Sequence, residues 1–405
     1  MNYKVAIITN RYAPVPAVRG GAVENLTEEL LRRNEFDPEF HFLVYTPADL
    51  EAEKAAARYC NSEFRFIPCT LHGIREKVRC RLQQITNRLN RNHFHDPYID
   101  RVITELRKIY TPGMVLLVEH ASLFTLALRD AFPKATIILH LHNDWVNPDT
   151  VYSQPILRAV NQFWAVSEYV KRRTSACGNA NVKCLYNGVE DRFYDSIDQN
   201  ALNVLKRKLE ISPQTRVILF AGRLNREKGI RKLAEAYGKL KEENILLLIL
   251  GGINYMDNTP TRYAKILYEA CKKSPNPIKF TGYVPYDRIP IYYHLATFCV
   301  MPSEFEEPFG MVAAEALACG IPVIATKAGG LPEIVTEECG ILIENDDHVT
   351  ENLVPAMKKL LRNKVLLQQM KTAARKRALK FTSSAMFAEF RKLLHEACNL
   401  ENSVL

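Results

Sequence analysis

The sequence predicts an α/β protein of two doubly wound domains. Three observations carry that expectation. Short apolar runs alternate with amphipathic stretches through both halves of the chain. A polar, charged connector at Asp195 to Lys208 separates two such alternating series, and a length of 405 residues suits two or three domains.

In the first half, strands are expected at Lys4–Thr9, His41–Tyr45, Glu63–Ile67, Met114–Val118, Thr136–His140 and Phe163–Val166, with helices between several of them. Asn10 to Gly21 is a loop and Glu24 to Arg33 an amphipathic helix. Gly20 and Gly21 stand at that helix's entrance, where paired glycines serve either a flexible turn or a close approach of backbone to ligand. The segment ILHLHNDW places His140 and His142 at a strand's end, where ligand-binding side chains collect, although a lone His there is more often structural. Between Ile74 and Leu89 the apolar residues share one helical face. Six cations between 75 and 91 are offset only by Glu76, a local charge of +5. Such a helix either packs on the core with a solvated basic face or lies on an anionic membrane surface.

The second series begins with the strand Val217–Ala221, followed by GRLNREKGI, which puts Arg223 and Lys228 beside a helix start. Two cations there suit a diphosphate, although loop cations are usually just solvated. The strand Ile245–Leu250 with a Gly251-Gly252 turn, a helix from about Thr261 to Lys272 and the segment IKFTGYVPYDRIPIYY follow. The stretch Met301 to Glu333 then reads as strand end, acidic loop, short helix from about Gly310 to Ala318, strand Ile321–Ala325 and Gly-Gly turn. A helix start after a parallel strand offers backbone N–H groups and a positive dipole end to an anion, here at Phe309, Gly310 and Met311. Glu307 precedes this helix and Glu315 lies inside it; alone, each would pass for a dipole partner or an ordinary helix residue. GILIENDDHVTENLVPAMKKLLRN and Phe381 to Ala397 complete the chain as a strand and helices.

Taken together, EPFG, the spacing Glu307-x7-Glu315, the downstream GGLPE, GR-x4-KG after a strand and YNGVEDRFY resemble the retaining glycosyltransferases of family 4, also called glycosyltransferase group 1. The resemblance spans nearly the whole chain and is densest from 217 to 343. It implies the GT-B fold, two Rossmann-like domains facing across a cleft with the last helix crossing back to the first domain. The implied divisions are 1–195 on the acceptor side, 196–380 binding the nucleotide-sugar donor, and 381–405 for the returning helix. It also implies roles: Glu307 at hydroxyls of the donor sugar, Glu315 at the ribose, Arg223 and Lys228 as a diphosphate clamp. The base would lie against Tyr283 and Val284, and Gly20 and Gly21 would meet the diphosphate or acceptor. His142 is the better match for the family histidine that faces the donor sugar, with His140 the alternative.

The implied reaction moves a sugar from a nucleoside diphosphate donor, most often UDP-linked, to a hydroxyl of a glycan or lipid-linked acceptor. The rivals are a nucleotide-sugar epimerase of the same fold and a non-catalytic subunit of a glycosyltransferase complex. No D-x-D motif occurs, and the pair Asp346-Asp347 falls in a polar turn, so no metal and no other cofactor is expected. The net charge of +9 favours anionic partners, but nothing resembles a nucleic-acid module. The longest run free of Asp, Glu, Lys and Arg, Ile289 to Ser303, is too short to span a membrane. The opening MNYKVAIITNRYAP lacks signal-peptide features, and ten scattered cysteines form no C-x-x-C pair. A cytoplasmic protein with free thiols is expected, with peripheral contact at the inner membrane face through residues 74–91 as the alternative.

Overall fold

The computed structural model describes residues 3–69, 91–252 and 262–402. The chain divides into two units, Met1–Tyr186 with Ser384–Leu405, and Asn187–Ser383. The first division falls nine residues before 195 and the second three residues after 381. The basic segment 74–91 lies, but for its last residue, outside the described residues.

Seven parallel strands form the sheet of the first unit: β1 (Tyr3–Ile8), β2 (Phe40–Pro47), β3 (Ser62–Ile67), β4 (Val115–Glu119), β5 (Thr136–Leu141), β6 (Gln162–Ala165) and β7 (Val182–Cys184). Their order is β3-β2-β1-β4-β5-β6-β7. The central strands β4 and β5 are buried along their whole length, as a parallel sheet covered on both faces requires, and this is why they read as unbroken apolar runs. β1 pairs with β2 on one side and β4 on the other, Val5 lying opposite both Phe42 and Val115. The chain therefore reverses its direction of winding between β1 and β4, and loops leaving that edge diverge to leave room for a ligand.

The helix Ser383–Asn402 belongs, from Ser384 on, to this first unit. Phe390 is fully buried, with its ring centroid 6.2 Å from that of Phe42 and 5.4 Å from that of Trp164. Arg391 pairs with Asp37 and Glu39, and His395 also bonds Glu39.

The second unit repeats the plan with six parallel strands: β8 (Arg216–Ala221), β9 (Ile245–Leu250), β10 (Ile278–Phe280), β11 (Phe298–Met301), β12 (Val323–Thr326) and β13 (Gly340–Ile343). The order β10-β9-β8-β11-β12-β13 puts the switch between β8 and β11. Its core packs Phe220, Leu247, Phe298 and Ile324 against Leu233, Tyr237, Leu353 and Met357 from flanking helices. The buried Tyr237 hydroxyl donates to the Pro277 carbonyl at 2.9 Å and accepts the Leu247 N–H at 3.1 Å, so a polar group ties helix to sheet without being left unpaired. No helix among the described residues is long and apolar enough to cross a membrane. None of the described cysteines is in a disulfide.

Observed strands agree with the sequence reading to within about two residues at each end. The short strands β7 and β10, three residues each, carry too little pattern to be read in advance.

Candidate active site

In the second unit, the loops after the paired strands β8 and β11 converge. Lys228, at the end of a single turn Arg226–Lys228, extends its Nζ to 2.6 Å from Glu307 Oε1. The same carboxylate oxygen accepts the Ser303 hydroxyl at 2.6 Å. Thr326, ending β12, donates its hydroxyl to the Ser303 carbonyl at 2.8 Å, so three strand ends fix the position of one carboxylate. Lys228 Nζ also sits 4.6 Å from the centre of the Phe305 ring. Glu307 is only 5 % exposed, a buried charge that its lysine and serine partners make tolerable.

The Gly-Gly turn is what allows the acidic loop to lie where it does. Gly329 has φ +57°, and a Cβ there would run into the Glu307 backbone. Gly330 donates its N–H to the Glu307 carbonyl at 2.7 Å, and the Glu306 side chain accepts the Gly329 N–H. The helix Met311–Ala318 starts directly after this loop, with Gly310 at φ +113° as its N-cap and no side chain capping it. Its first turn therefore presents backbone N–H groups beside Lys228 and Glu307.

Glu315, inside that helix, is held by two tyrosines. It is 5 % exposed, its Oε1 accepting the Tyr286 hydroxyl and its Oε2 the Tyr293 hydroxyl, both at 2.9 Å. Burial pushes its pKa up to about 7, against the opposing effect of the two tyrosine hydroxyls. A further hydroxyl donor would have to share oxygens that already accept one bond each, which a carboxylate's lone pairs permit. Arg223 is exposed in the loop after β8 and has no ion-pair partner among the described residues. Tyr283, 40 % exposed, and Val284 follow β10, at the same carboxyl edge but beyond β9 from Lys228.

Gly20, Gly21 and His142 belong to the first unit. Gly20 closes a turn by donating to the Ala17 carbonyl at 2.9 Å. Gly21, at φ +116°, leaves the volume a Cβ would take to the carboxylate of Glu24, itself bonded by Asn10 Nδ2 at 2.8 Å. Burial raises the pKa of Glu24. The glycine pair thus has an internal reason for its place.

At the ends of β4 and β5 three side chains meet. Glu119 Oε2 lies 3.0 Å from His140 Nδ1 and 2.8 Å from His142 Nε2. Burial would raise the Glu119 pKa, but the two imidazoles hold it well below the usual carboxylate range. His142 is pushed down to about 4, by burial and then by His140, against the pull of Glu119. Among the described residues this is the one His, Cys, Asp or Glu group able to offer three ligand atoms to a metal. As placed, the three are spaced for hydrogen bonds to one another. A tetrahedral zinc with bonds of about 2.0–2.2 Å holds its ligand atoms roughly 3.4 Å apart. Separations of 2.8 and 3.0 Å are ordinary N–H···O hydrogen bonds.

Sequence reasoning missed Ser303, Tyr286, Tyr293 and Glu119. Ser303 stands next to a strand end in MPSEFEEPFG, and Glu119 ends an apolar run. A polar residue ending a buried parallel strand is the signal that could have found both.

Residues 203–377 match the family model described as glycosyl transferases group 1. Over 274 residues the chain is 30 % identical to a lipopolysaccharide 1,2-N-acetylglucosaminetransferase of Salmonella typhimurium, covering 66 % of this chain and 68 % of that one. A D-inositol 3-phosphate glycosyltransferase of Corynebacterium glutamicum is 31 % identical over 53 % of this chain and 51 % of its own length. Among solved structures, Anabaena Alr3699/HepE in complex with UDP and glucose aligns with a TM-score of 0.75 at 19 % identity, covering 98 % of this chain and 100 % of that one. WaaG, a glycosyltransferase involved in lipopolysaccharide biosynthesis, aligns at 0.68 with 16 % identity, covering 96 % of this chain and 99 % of that one. Two parallel-sheet units of this kind are the GT-B architecture, and the match in sequence extends through the loops that carry Lys228, Glu307 and the Gly-Gly turn. The chain belongs to the glycosyl transferases group 1 family.

Proposed function

We propose that this glycosyltransferase moves a sugar from a nucleoside diphosphate donor, UDP-linked in our reading, to a hydroxyl of a glycan or lipid-linked acceptor, with retention at the anomeric carbon. The observation that carries the proposal is the buried Glu307 carboxylate held by Lys228 and Ser303 beside an uncapped helix start. Bond breaking between sugar and phosphate moves negative charge onto the leaving diphosphate, and groups already oriented toward that charge stabilise the transition state. Lys228, Arg223 and the N–H groups of Phe309, Gly310 and Met311 supply that field. Glu307 accepts hydroxyl hydrogens of the donor sugar, Glu315 those of the ribose alongside its tyrosines, and Tyr283 and Val284 lie against the base. Gly20, Gly21 and His142 serve from the first unit, His142 at the donor sugar.

Two features of relatives support the donor class. The Anabaena structure is a complex with UDP and glucose, and a second is a complex with UDP-glucose. The Salmonella relative is named for lipopolysaccharide, which supports glycan or glycolipid assembly as the setting. The cationic clamp takes the place of a metal on the diphosphate, so transfer should persist in EDTA. Complete, Mg-reversible loss would refute that point.

The test is protection against thermal unfolding by UDP, GDP, ADP and their common sugar conjugates, together with donor hydrolysis, in wild type and Lys228→Ala. Protection by one nucleotide that is lost in the variant supports the proposal and names the donor. No protection by any of them at millimolar concentration refutes it and favours a non-catalytic subunit.

A further inference from the structure

Charge is distributed unevenly along this chain. Residues 358–380 hold nine of its 54 Lys and Arg and no Asp or Glu, and the other 45 cations match the 45 acidic residues, so this one stretch equals the net charge of +9. It covers the end of the helix Val349–Arg362, all of the helix Lys364–Ala378 and most of the single turn Leu379–Phe381. Arg362 pairs with Glu242, and Arg377 donates to the carbonyls of Glu333 and Ile334. Lys358, Lys359, Lys364, Lys371, Arg375 and Lys376 make no ion pair among the described residues. A cation in a last turn complements the helix dipole, which accounts for Lys359 and Arg362 in one helix and for Arg375, Lys376 and Arg377 in the other. Lys364 has no such reason: it opens its helix at the positive end, with no acid in the first turn. Like charges gathered without counter-charges repel one another in water, and an anionic surface relieves that repulsion.

Lys358, Lys359, Arg362 and Lys364 line an open hollow of about 660 Å³ where the two helices join. From there the exposed residues of the helix Lys364–Ala378 recur at its turn spacing: Val365, Gln369, Thr372, Lys376 and then Leu379 just beyond its end. Met370, Ala374 and Ala378 of the same helix are buried in the unit. Val365 is 69 % and Leu379 62 % exposed, and they stand about 20 Å apart along the helix direction. The outer face thus carries uncharged side chains between cations, an apolar residue near each end, and no acid. A soluble polyanion would leave both apolar side chains in water, whereas a bilayer takes the cations at its phosphates and the apolar tips among its headgroups. With its apolar side already committed to the unit, the helix can rest on a bilayer but not sink into it. We propose that this face of the second unit, residues 358–380, docks on a bilayer rich in anionic lipid. The proposal stands apart from the donor reading, since docking needs no nucleotide.

The test is co-sedimentation of the full chain, free of nucleotide, with phosphatidylcholine vesicles and with vesicles that also hold about 30 mol % phosphatidylglycerol, in about 0.1 M NaCl. Binding is expected only to the second kind, and about 1 M NaCl should release it, because the screening length then falls to about 3 Å. The triple variant Lys359→Gln, Lys364→Gln, Lys376→Gln removes three exposed cations that make no ion pair, and partitioning should weaken roughly a hundredfold. Arg at the same three positions should keep it. Val365→Ser with Leu379→Ser should weaken it several-fold, and because all five side chains are exposed the unfolding temperature should hold in each variant. Equal binding to both kinds of vesicle, binding to neither, or a Gln variant that partitions as wild type does overturns the proposal. Binding that survives in the Gln variant but is lost in Arg75→Gln, Lys77→Gln, Arg79→Gln overturns it in favour of the basic segment 75–91. Tight binding of a single-stranded oligonucleotide that the Gln variant loses, with no binding to vesicles, overturns it in favour of a soluble polyanion.

Discussion

Lys228 Nζ and Glu307 Oε1 lie 2.6 Å apart although 79 residues separate them in sequence. Neither residue is interpretable alone, since a loop lysine and a glutamate before a helix are both ordinary. Their meeting at the ends of adjacent strands converts two surface-like residues into one buried ion pair.

Removing one partner of that pair should be costly in two ways. Lys228→Ala leaves Glu307, whose side chain is 6 % exposed, with only the Ser303 hydroxyl, and the folded second unit should lose about 1–3 kcal/mol in urea unfolding. Donor turnover should fall by roughly a hundredfold or more. Glu307→Gln keeps an acceptor for Ser303, so its stability loss should be the smaller of the two while turnover still collapses. Losses that simply add in the Lys228→Ala, Glu307→Gln double variant would mean that the pair is not energetically coupled.

Glu315 should make stability depend on pH. Its folded pKa of about 7 lies above its ordinary value of 4.5, so the folded state holds a proton that the unfolded state has released between those values. The stabilisation is complete below pH 4.5 and is lost as pH rises through 7. The change is on the order of 3 kcal/mol at most. Unfolding free energies at pH 5 and pH 7.5 should converge toward pH independence in Glu315→Gln, and a wild-type slope retained in that variant would place the titration elsewhere.

Two glycines give a paired test of the acidic loop. Gly329→Ala drives a Cβ into the Glu307 backbone at φ +57° and should cost about 2 kcal/mol or more while abolishing nucleotide protection. Gly282 has a similar φ of +69° but open space where a Cβ would go, so Gly282→Ala should cost only about 1 kcal/mol of backbone strain. Similar behaviour of both variants in thermal unfolding would show that loop packing is not what Gly329 protects.

Phe390 should act on the first unit. Truncation to Ala removes the ring that packs between Phe42 and Trp164 and should destabilise that unit by about 3–5 kcal/mol in urea unfolding followed by Trp fluorescence. Nucleotide protection, which depends on residues of the second unit, should survive at temperatures where the first unit remains folded.

Much of the fold was legible because parallel strands buried on both faces leave an unmistakable trace: VAIIT, VLLV, ILLLIL and FCVM are short apolar runs that helices cannot claim. Strands β7 and β10 left no such trace, being three residues long and half-buried. The family resemblance pointed to Glu307, Lys228 and the Gly-Gly turn because their spacing sits inside single loops. It could not reveal that Glu315 would be covered by Tyr286 and Tyr293, since those tyrosines lie 29 and 22 residues away.

The sequence by itself determined the strand and helix series, the two-unit plan and the loops in which chemistry would be found. These follow from local periodicity and from glycines and prolines whose effects reach only a few residues. The tertiary structure alone decided which loops meet. Winding order put the loop after β8 beside the loop after β11, and β4 beside β5, and strand pairing at about 5 Å then brought Lys228 to Glu307 and both histidines to Glu119. A charge becomes a site only when burial strips its water and leaves it dependent on the partners the fold supplies, and that burial is a property of the assembled sheet.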